Sequence, residues 1–129
     1  MPDRSSLPDV LPIDRSRRPL DGTVRPPGSK SYTNRALVLA ALADGRSTIE
    51  GALFSDDTRH MARGIASIGV RVASDEAKER FEVDGCAGKP TAARASVFVG
   101  NSGTTARFLA PVLALGSGTY ELHGDEAMA

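Results

Sequence analysis

Two stretches of this chain follow the same plan at the same offsets. GSKSYTNR runs from Gly28 to Arg35, and GNSGTTAR runs from Gly100 to Arg107, 72 residues further on. Each opens on glycine, passes through hydroxyl and amide side chains, and closes on arginine. Each then leads straight into an apolar run, ALVLAALA after the first and FLAPVLAL after the second. Both also follow a strand candidate, Gly22–Arg25 and Val97–Val99. Self-similarity at a fixed spacing points to one supersecondary unit used twice. Such a chain has to place two apolar helices side by side while leaving both of their polar N-termini accessible.

The rest of the pattern fits around that frame. Pro26-Pro27-Gly28 ends the first strand candidate, because proline removes a ladder donor. A helix is expected over Ser31–Ala43, capped by Ser29 or Ser31 and ended by Asp44-Gly45. Its middle is apolar on all sides, which predicts a buried helix. A short strand follows at Ser47–Glu50. Ser55-Asp56-Asp57 opens a second helix running to about Ile68, with Met61, Ile65 and Ile68 on one stripe and Gly69 closing it. Val70–Ala73 and Arg80–Val83 alternate as strands, and Asp84–Arg94 reads as loop. Thr104–Leu115 is a third helix, with Pro111 as a kink or early stop. Tyr120–His123 is the last strand. Mixed strands and helices of this kind predict an α/β (α+β) domain. Residues 1–13 read as a mobile tail and 1–19 as tail and lead-in, leaving 20–129 as the folded part.

Composition narrows the function. The 129 residues suffice for one modest domain. Lys plus Arg number 16 and Asp plus Glu number 16, a balance that argues against a nucleic-acid-binding module. A single cysteine, Cys86, excludes an internal disulfide and a cysteine-based zinc site. His60 and His123 lie far apart, so no metal centre is expected. No apolar run is long enough for a membrane span. The N-terminus lacks the apolar segment of a secretory signal. A reducing, cytoplasmic setting follows.

The two glycine turns carry the chemistry. A helix N-terminus presents unpaired N–H groups and partial positive charge, and glycine lets an anion approach them. In the first turn Lys30 adds a point charge and Ser31 a hydroxyl. Arg35 lies one helical turn beyond Ser31, so its guanidinium can fork onto a phosphate or carboxylate. A plainer reading competes, in which Ser31 only caps the helix and the two cations are solvated. A nucleotide P-loop does not fit, because Ser29 stands between Gly28 and Lys30. In the second turn Asn101, Gly103 and Thr104 form a hydroxyl-rich loop, with Arg107 on the face of Thr104. There the plainer reading is a capping Asn101 or Ser102 and an ion-paired Arg107. Asp56 and Asp57 suit the dipole of a first helical turn. His60 reads as a helix-surface residue and Cys86 as an unactivated thiol. None of these is assigned a catalytic role.

The order PGSKSYTNRALVLAALADG, SDDTRHM, GNSGTTARFLAPVLAL, HGDEAM resembles the 3-phosphoshikimate 1-carboxyvinyltransferase (EPSP synthase) family, over roughly residues 20–129. The resemblance implies domains built from βαβαββ repeats, with ligands bound in the cleft between two domains. It implies transfer of the enolpyruvyl group of phosphoenolpyruvate to the 5-hydroxyl of shikimate 3-phosphate, in aromatic amino-acid biosynthesis. No metal or organic cofactor is implied, and the partners are these small molecules, with the full-length enzyme a monomer. By the same resemblance Lys30 touches both substrates and is the catalytic residue of this chain, stabilising charge and shuttling a proton. Ser31 and Arg35 bind shikimate 3-phosphate, Asn101, Gly103 and Thr104 lie beside phosphoenolpyruvate, and Arg107 is supporting.

Two departures qualify this. The G-D-x-x-M ending of the family runs on into an Arg-Pro, whereas this sequence stops at Ala129. Ala127 also stands where an arginine is common. The expectation is therefore an N-terminal fragment, about one and a half repeats, inactive by itself and without the carboxylate acid/base pair of the other domain. The leucines Leu37, Leu39 and Leu42 are then expected to present an uncovered apolar face. The alternatives are a relative of the UDP-N-acetylglucosamine enolpyruvyl transferases, whose turn is of G-A-K-N type, and a non-catalytic anion-binding module.

Overall fold

Eight elements follow one another from Lys30 onward in the computed structural model: α1 (Lys30–Leu42), β1 (Asp44–Ile49), α2 (Asp56–Ser67), β2 (Arg71–Asp75), β3 (Arg80–Cys86), β4 (Arg94–Phe98), α3 (Gly103–Leu113) and β5 (Thr119–His123). The structure describes residues 21–128 together with Pro12 and Pro19. The tail read over 1–13 and the lead-in to residue 19 otherwise lie outside the described residues. The fold is a mixed α/β one, as the pattern predicted.

β1, β3 and β2 form an antiparallel sheet in that order, with Ile49 opposite Phe81 and Val72 opposite Val83. Alternation along β3 sends Phe81 and Val83 inward, where both are buried, while Glu82 and Asp84 face outward. β4 and β5 pair in parallel, Val97 opposite Leu122, with α3 as the connection between them. The three helices meet over one core. Leu37, Ala40 and Ala41 come from α1, Met61 and Ile65 from α2, and Leu109 and Val112 from α3. Phe54 stacks on Phe81 with ring centroids 4.4 Å apart. Each fully buried aliphatic side chain contributes about 1.5–3 kcal/mol of transfer free energy. The stripe expected on the second helix is observed: Met61, Ile65 and Ile68 are all fully buried.

Some expectations need correction. The strand expected at Gly22–Arg25 does not form, and residues 21–29 run irregularly into α1. So the first glycine turn, unlike the second, follows no strand. α1 is not buried on all sides. Leu37 is sequestered, but Leu39 is 69 % exposed, because neighbours cover only the face carrying Leu37, Ala40 and Ala41. Asp44 and Gly45 do not end the helix as caps, since Ala43 is the C-cap and β1 starts at once, with Gly45 at φ 93°. The segment Asp84–Cys86 is strand rather than loop. Gly85 belongs there because a Cβ would sit 2.2 Å from the Ala43 carbonyl oxygen and 2.5 Å from that of Ala40, so only glycine lets β3 pass beneath the end of α1. Pro111 does not stop α3 early. The helix continues two residues past it, to Leu113.

Two further glycines set distances that matter for the site. At Gly28 a Cβ would lie 2.4 Å from the Gly51 carbonyl oxygen and 2.7 Å from the Leu53 nitrogen, so the first turn is pressed onto that backbone. At Gly64, in the middle of α2, a Cβ would lie 2.4 Å from Leu109 Cδ1. The missing side chain is what lets α2 and α3 approach there.

Candidate functional site

The N-termini of α1 and α3 are brought together by a residue that lies on neither. Ser29 is the N-cap of α1, its hydroxyl accepting from the Tyr32 N–H at 3.4 Å. Ser31 is thereby released from capping and stands exposed on the first turn of the helix. Lys30 is the first helical residue, and its ammonium pairs with Asp57 Oδ2 at 3.0 Å. Asp57 is the second residue of α2. Its other oxygen, Oδ1, accepts a hydrogen bond from the Ser102 hydroxyl. Ser102 is in turn the N-cap of α3, accepting from the Thr105 N–H at 3.2 Å. Thr105 closes the circuit, donating from Oγ1 to the Asp57 carbonyl oxygen at 3.3 Å while lying 2.8 Å from Ser102 Oγ.

Burial is graded along this chain of contacts. Ser102 and Thr105 are buried, whereas the Asp57 and Lys30 side chains are 26 % and 47 % exposed. The Ser102 hydroxyl, and after it the Lys30 ammonium, hold the Asp57 carboxyl below its ordinary value, although partial desolvation works the other way. Asp57 is therefore ionised throughout the neutral range, and the ammonium faces it as a charge-assisted partner. The arrangement places two helix N-termini, one ion-paired ammonium and a set of hydroxyls close together. That chemistry suits anions carrying several oxygens.

The remaining residues singled out from the sequence are placed as follows. Arg35 donates to the Ser31 carbonyl oxygen at 3.1 Å, and its guanidinium carbon lies 5.7 Å from the centre of the Phe108 ring on α3. It thus bridges α1 and α3. Asn101 is exposed, Gly103 and Thr104 are half-buried, and Arg107 is exposed. Gly103 has open space where a Cβ would stand. Gly100 lies at φ 56°, against the His60 ring, whose Nε2 would be 2.5 Å from a Cβ there. The Asp125 N–H donates to the Gly100 carbonyl oxygen at 3.1 Å. All four motif segments, GSKSYTNR, SDDTRHM, GNSGTTAR and HGDEAM, therefore adjoin one another.

Sequence reasoning left two participants out. Asp57 was accounted for by the helix dipole, and Ser102 by capping; both accounts hold, but each side chain also has a tertiary partner. One signal was available in the sequence. Lys30 and Ser102 occupy the same offset in the two glycine turns, and both contact Asp57.

Comparison with known proteins identifies the family. The family model described as EPSP synthase (3-phosphoshikimate 1-carboxyvinyltransferase) matches residues 15–129. A 3-phosphoshikimate 1-carboxyvinyltransferase of Trichormus variabilis is 45% identical over 120 residues, covering 93% of this chain and 28% of the relative. One of Rhizobium etli is 49% identical over 111 residues, covering 86% and 26%. One of Pseudomonas syringae pv. syringae is 48% identical over 119 residues, covering 92% and 27%. Among solved structures, EPSP synthase from Acinetobacter baumannii superposes with a TM-score of 0.67 at 24% identity, over 78% of this chain and 23% of that one. This chain thus spans a little over a quarter of the length of the curated relatives it matches. Since the family model covers nearly all of its residues, the chain belongs to the EPSP synthase family.

Proposed function

We propose that this chain supplies part of the substrate cleft of a 3-phosphoshikimate 1-carboxyvinyltransferase. The reaction moves the enolpyruvyl group of phosphoenolpyruvate onto the 5-hydroxyl of shikimate 3-phosphate and releases phosphate. Residues 20–129 are a partial domain of about one and a half repeats. Lys30 acts on both substrates. Ser31 and Arg35 hold the 3-phosphate, Asn101, Gly103 and Thr104 line the phosphoenolpyruvate side, and Arg107 supports them. The observation that carries this reading is the joining of two helix N-termini, each with its own anion-binding groups, through Lys30, Asp57 and Ser102.

The chemistry is addition followed by elimination. The methylene carbon of phosphoenolpyruvate takes a proton while the 5-hydroxyl loses one and attacks the neighbouring carbon. The tetrahedral adduct then gives up a proton from its new methyl group as the C–O bond to phosphate breaks, which regenerates the double bond. Charge accumulates on phosphate and carboxylate oxygens, where Lys30 and the backbone N–H groups act. The carboxylates that move the protons belong to the second domain of such an enzyme, so this chain by itself turns over neither substrate. The enzyme acts as a monomer in the cytoplasm, a setting suited to the single free thiol of Cys86.

Calorimetric titration of the 129-residue chain tests the reading. Shikimate 3-phosphate is expected to bind more tightly than inorganic phosphate, and Arg35→Ala is expected to erase that preference. Equal affinity for the two anions would favour a plain anion-binding module. Turnover of both substrates by this chain would refute its dependence on a second domain.

A further inference from the structure

We propose that Asp57 is a positioning residue of the anion site, a single carboxylate that holds the Lys30 ammonium and the Ser102 hydroxyl in register across two helix N-termini. The inference rests on the reading of both glycine turns as one site, but not on which anion occupies it.

Three observations support it. Both carboxylate oxygens are engaged, and by different turns: Oδ2 by Lys30 and Oδ1 by Ser102. The backbone of Asp57 is held as well, its carbonyl oxygen accepting from Thr105. Finally, the two side chains it holds stand at equivalent offsets of the repeated turn, Lys30 in one and Ser102 in the other. A carboxylate beside an anion site repels the ligand, so its electrostatic contribution taken alone is unfavourable. Its place there is explained by what it orients. A lysine carries several rotatable bonds, and fixing it in advance spares the ligand that ordering cost. The ammonium has three donors. One is taken by Asp57 and two remain for an incoming oxyanion.

The groups facing the carboxylate are Lys30 from α1, Ser102 and Thr105 from the turn before α3 and α3 itself, and His60 on its own helix. Asp57→Asn separates the two ties. The amide oxygen can still accept from Ser102, but the amide N–H₂ meets the ammonium donor to donor. Ser102→Ala removes the other tie and leaves the ion pair.

The test uses the full chain and three anions: sulfate, inorganic phosphate and phosphoenolpyruvate. Binding is followed through the backbone amide resonances of Lys30 and Gly103. Asp57→Asn is expected to weaken all three anions about tenfold, the scale of one charge-assisted hydrogen bond. Ser102→Ala is expected to act in the same direction. The double variant is expected to be no worse than the weaker single one, since both changes dismantle one unit. Tighter binding by Asp57→Asn would overturn the proposal, because it would show that the carboxylate merely repels. Strictly additive losses would also overturn it.

A second readout sets the wild type against Asp57→Asn in acid, which cancels the protonation of sulfate itself and of the other carboxylates. A steeper fall in sulfate affinity in the wild type as Asp57 protonates reports the positioning. Parallel acid limbs in the two chains would refute the role. If all three anions weaken together while shikimate 3-phosphate shows no preference over phosphate, the positioning stands and the substrate assignment fails.

Discussion

The two glycine turns share offsets but divide the physical work unequally. The first is an exposed turn that carries charge: Lys30 and Arg35 project from a helix whose N-cap, Ser29, makes only a long hydrogen bond of 3.4 Å. In the second the hydroxyls are enclosed, with Ser102 and Thr105 side by side and each donating to Asp57. Even the glycines differ. Gly28 is held against backbone on one side, whereas Gly103 faces open space. A repeated sequence unit has thus become one turn that presents charge at the surface and one whose capping hydroxyls are enclosed.

The largest effect expected from this contrast is at Gly28 of the first turn, set against Gly103 of the second. Gly28→Ala drives a methyl group into the Gly51 and Leu53 backbone, and urea unfolding is expected to show a loss of about 1–3 kcal/mol. Gly103→Ala has room and is expected to stay within about 0.5 kcal/mol of the wild type. Similar losses at both positions would break the comparison.

Equivalent threonines sharpen it. Thr33 accepts from the Leu53 N–H at 3.0 Å, and Thr105 donates to Asp57; both are buried. Replacing either by valine strands a half-buried partner. Each change is expected to cost about 1–3 kcal/mol in thermal unfolding. A cost confined to Thr105 would mean that only the second turn is built around its hydroxyl.

A smaller effect follows from acid. The Asp57 carboxyl is depressed by Ser102 and then Lys30, so the stability it contributes is present above its unfolded pKa. That stability is lost as pH falls through the lower, folded value. Asp75 and Asp84 are depressed too, and the difference between wild type and Asp57→Asn cancels them. The stability difference is expected to shrink steadily on acidification. A difference that stays constant down to strongly acid pH would show that the carboxylate is uncoupled from folding.

The smallest effect is expected far from both turns. Arg46 pairs with Asp84 at 2.6 Å on the outer face of the sheet, but its side chain is 59 % exposed. Arg46→Ala is expected to leave the melting temperature nearly unchanged at physiological salt. A shift as large as those at the buried threonines would place the stabilising contrast somewhere other than the turns.

How much of this was legible in the sequence depended on the range of the interaction. The apolar stripe of α2 and the starts of α1 and α3 follow from local periodicity and capping chemistry, and they were readable. The error at Gly85 came from treating glycine as turn-forming. Its actual reason, the closeness of the α1 carbonyls, is a contact between segments far apart in the chain. Leu39 was assigned to a buried helix because composition gives no direction, and only neighbouring elements decide which face is covered. Asp57 was passed over because a local explanation sufficed. Its partner Ser102 lies 45 residues further on, beyond what any window of sequence can relate. The motif order was enough to identify the family without these contacts, but not to show how the motifs hold one another.

The bare backbone at Gly64 has a consequence for breeding or engineering such chains. It sits seven residues beyond Asp57, two turns or about 10 Å along α2, and there Leu109 of α3 comes within reach of where a methyl would be. The spacing of the two helices is therefore gauged at one end and used at the other. A substitution at Gly64 would act as a wedge. It would press on Leu109 and so bear on the separation of α2 and α3, whose N-terminal ends carry Asp57 and Ser102, with every residue of the candidate site left as it was.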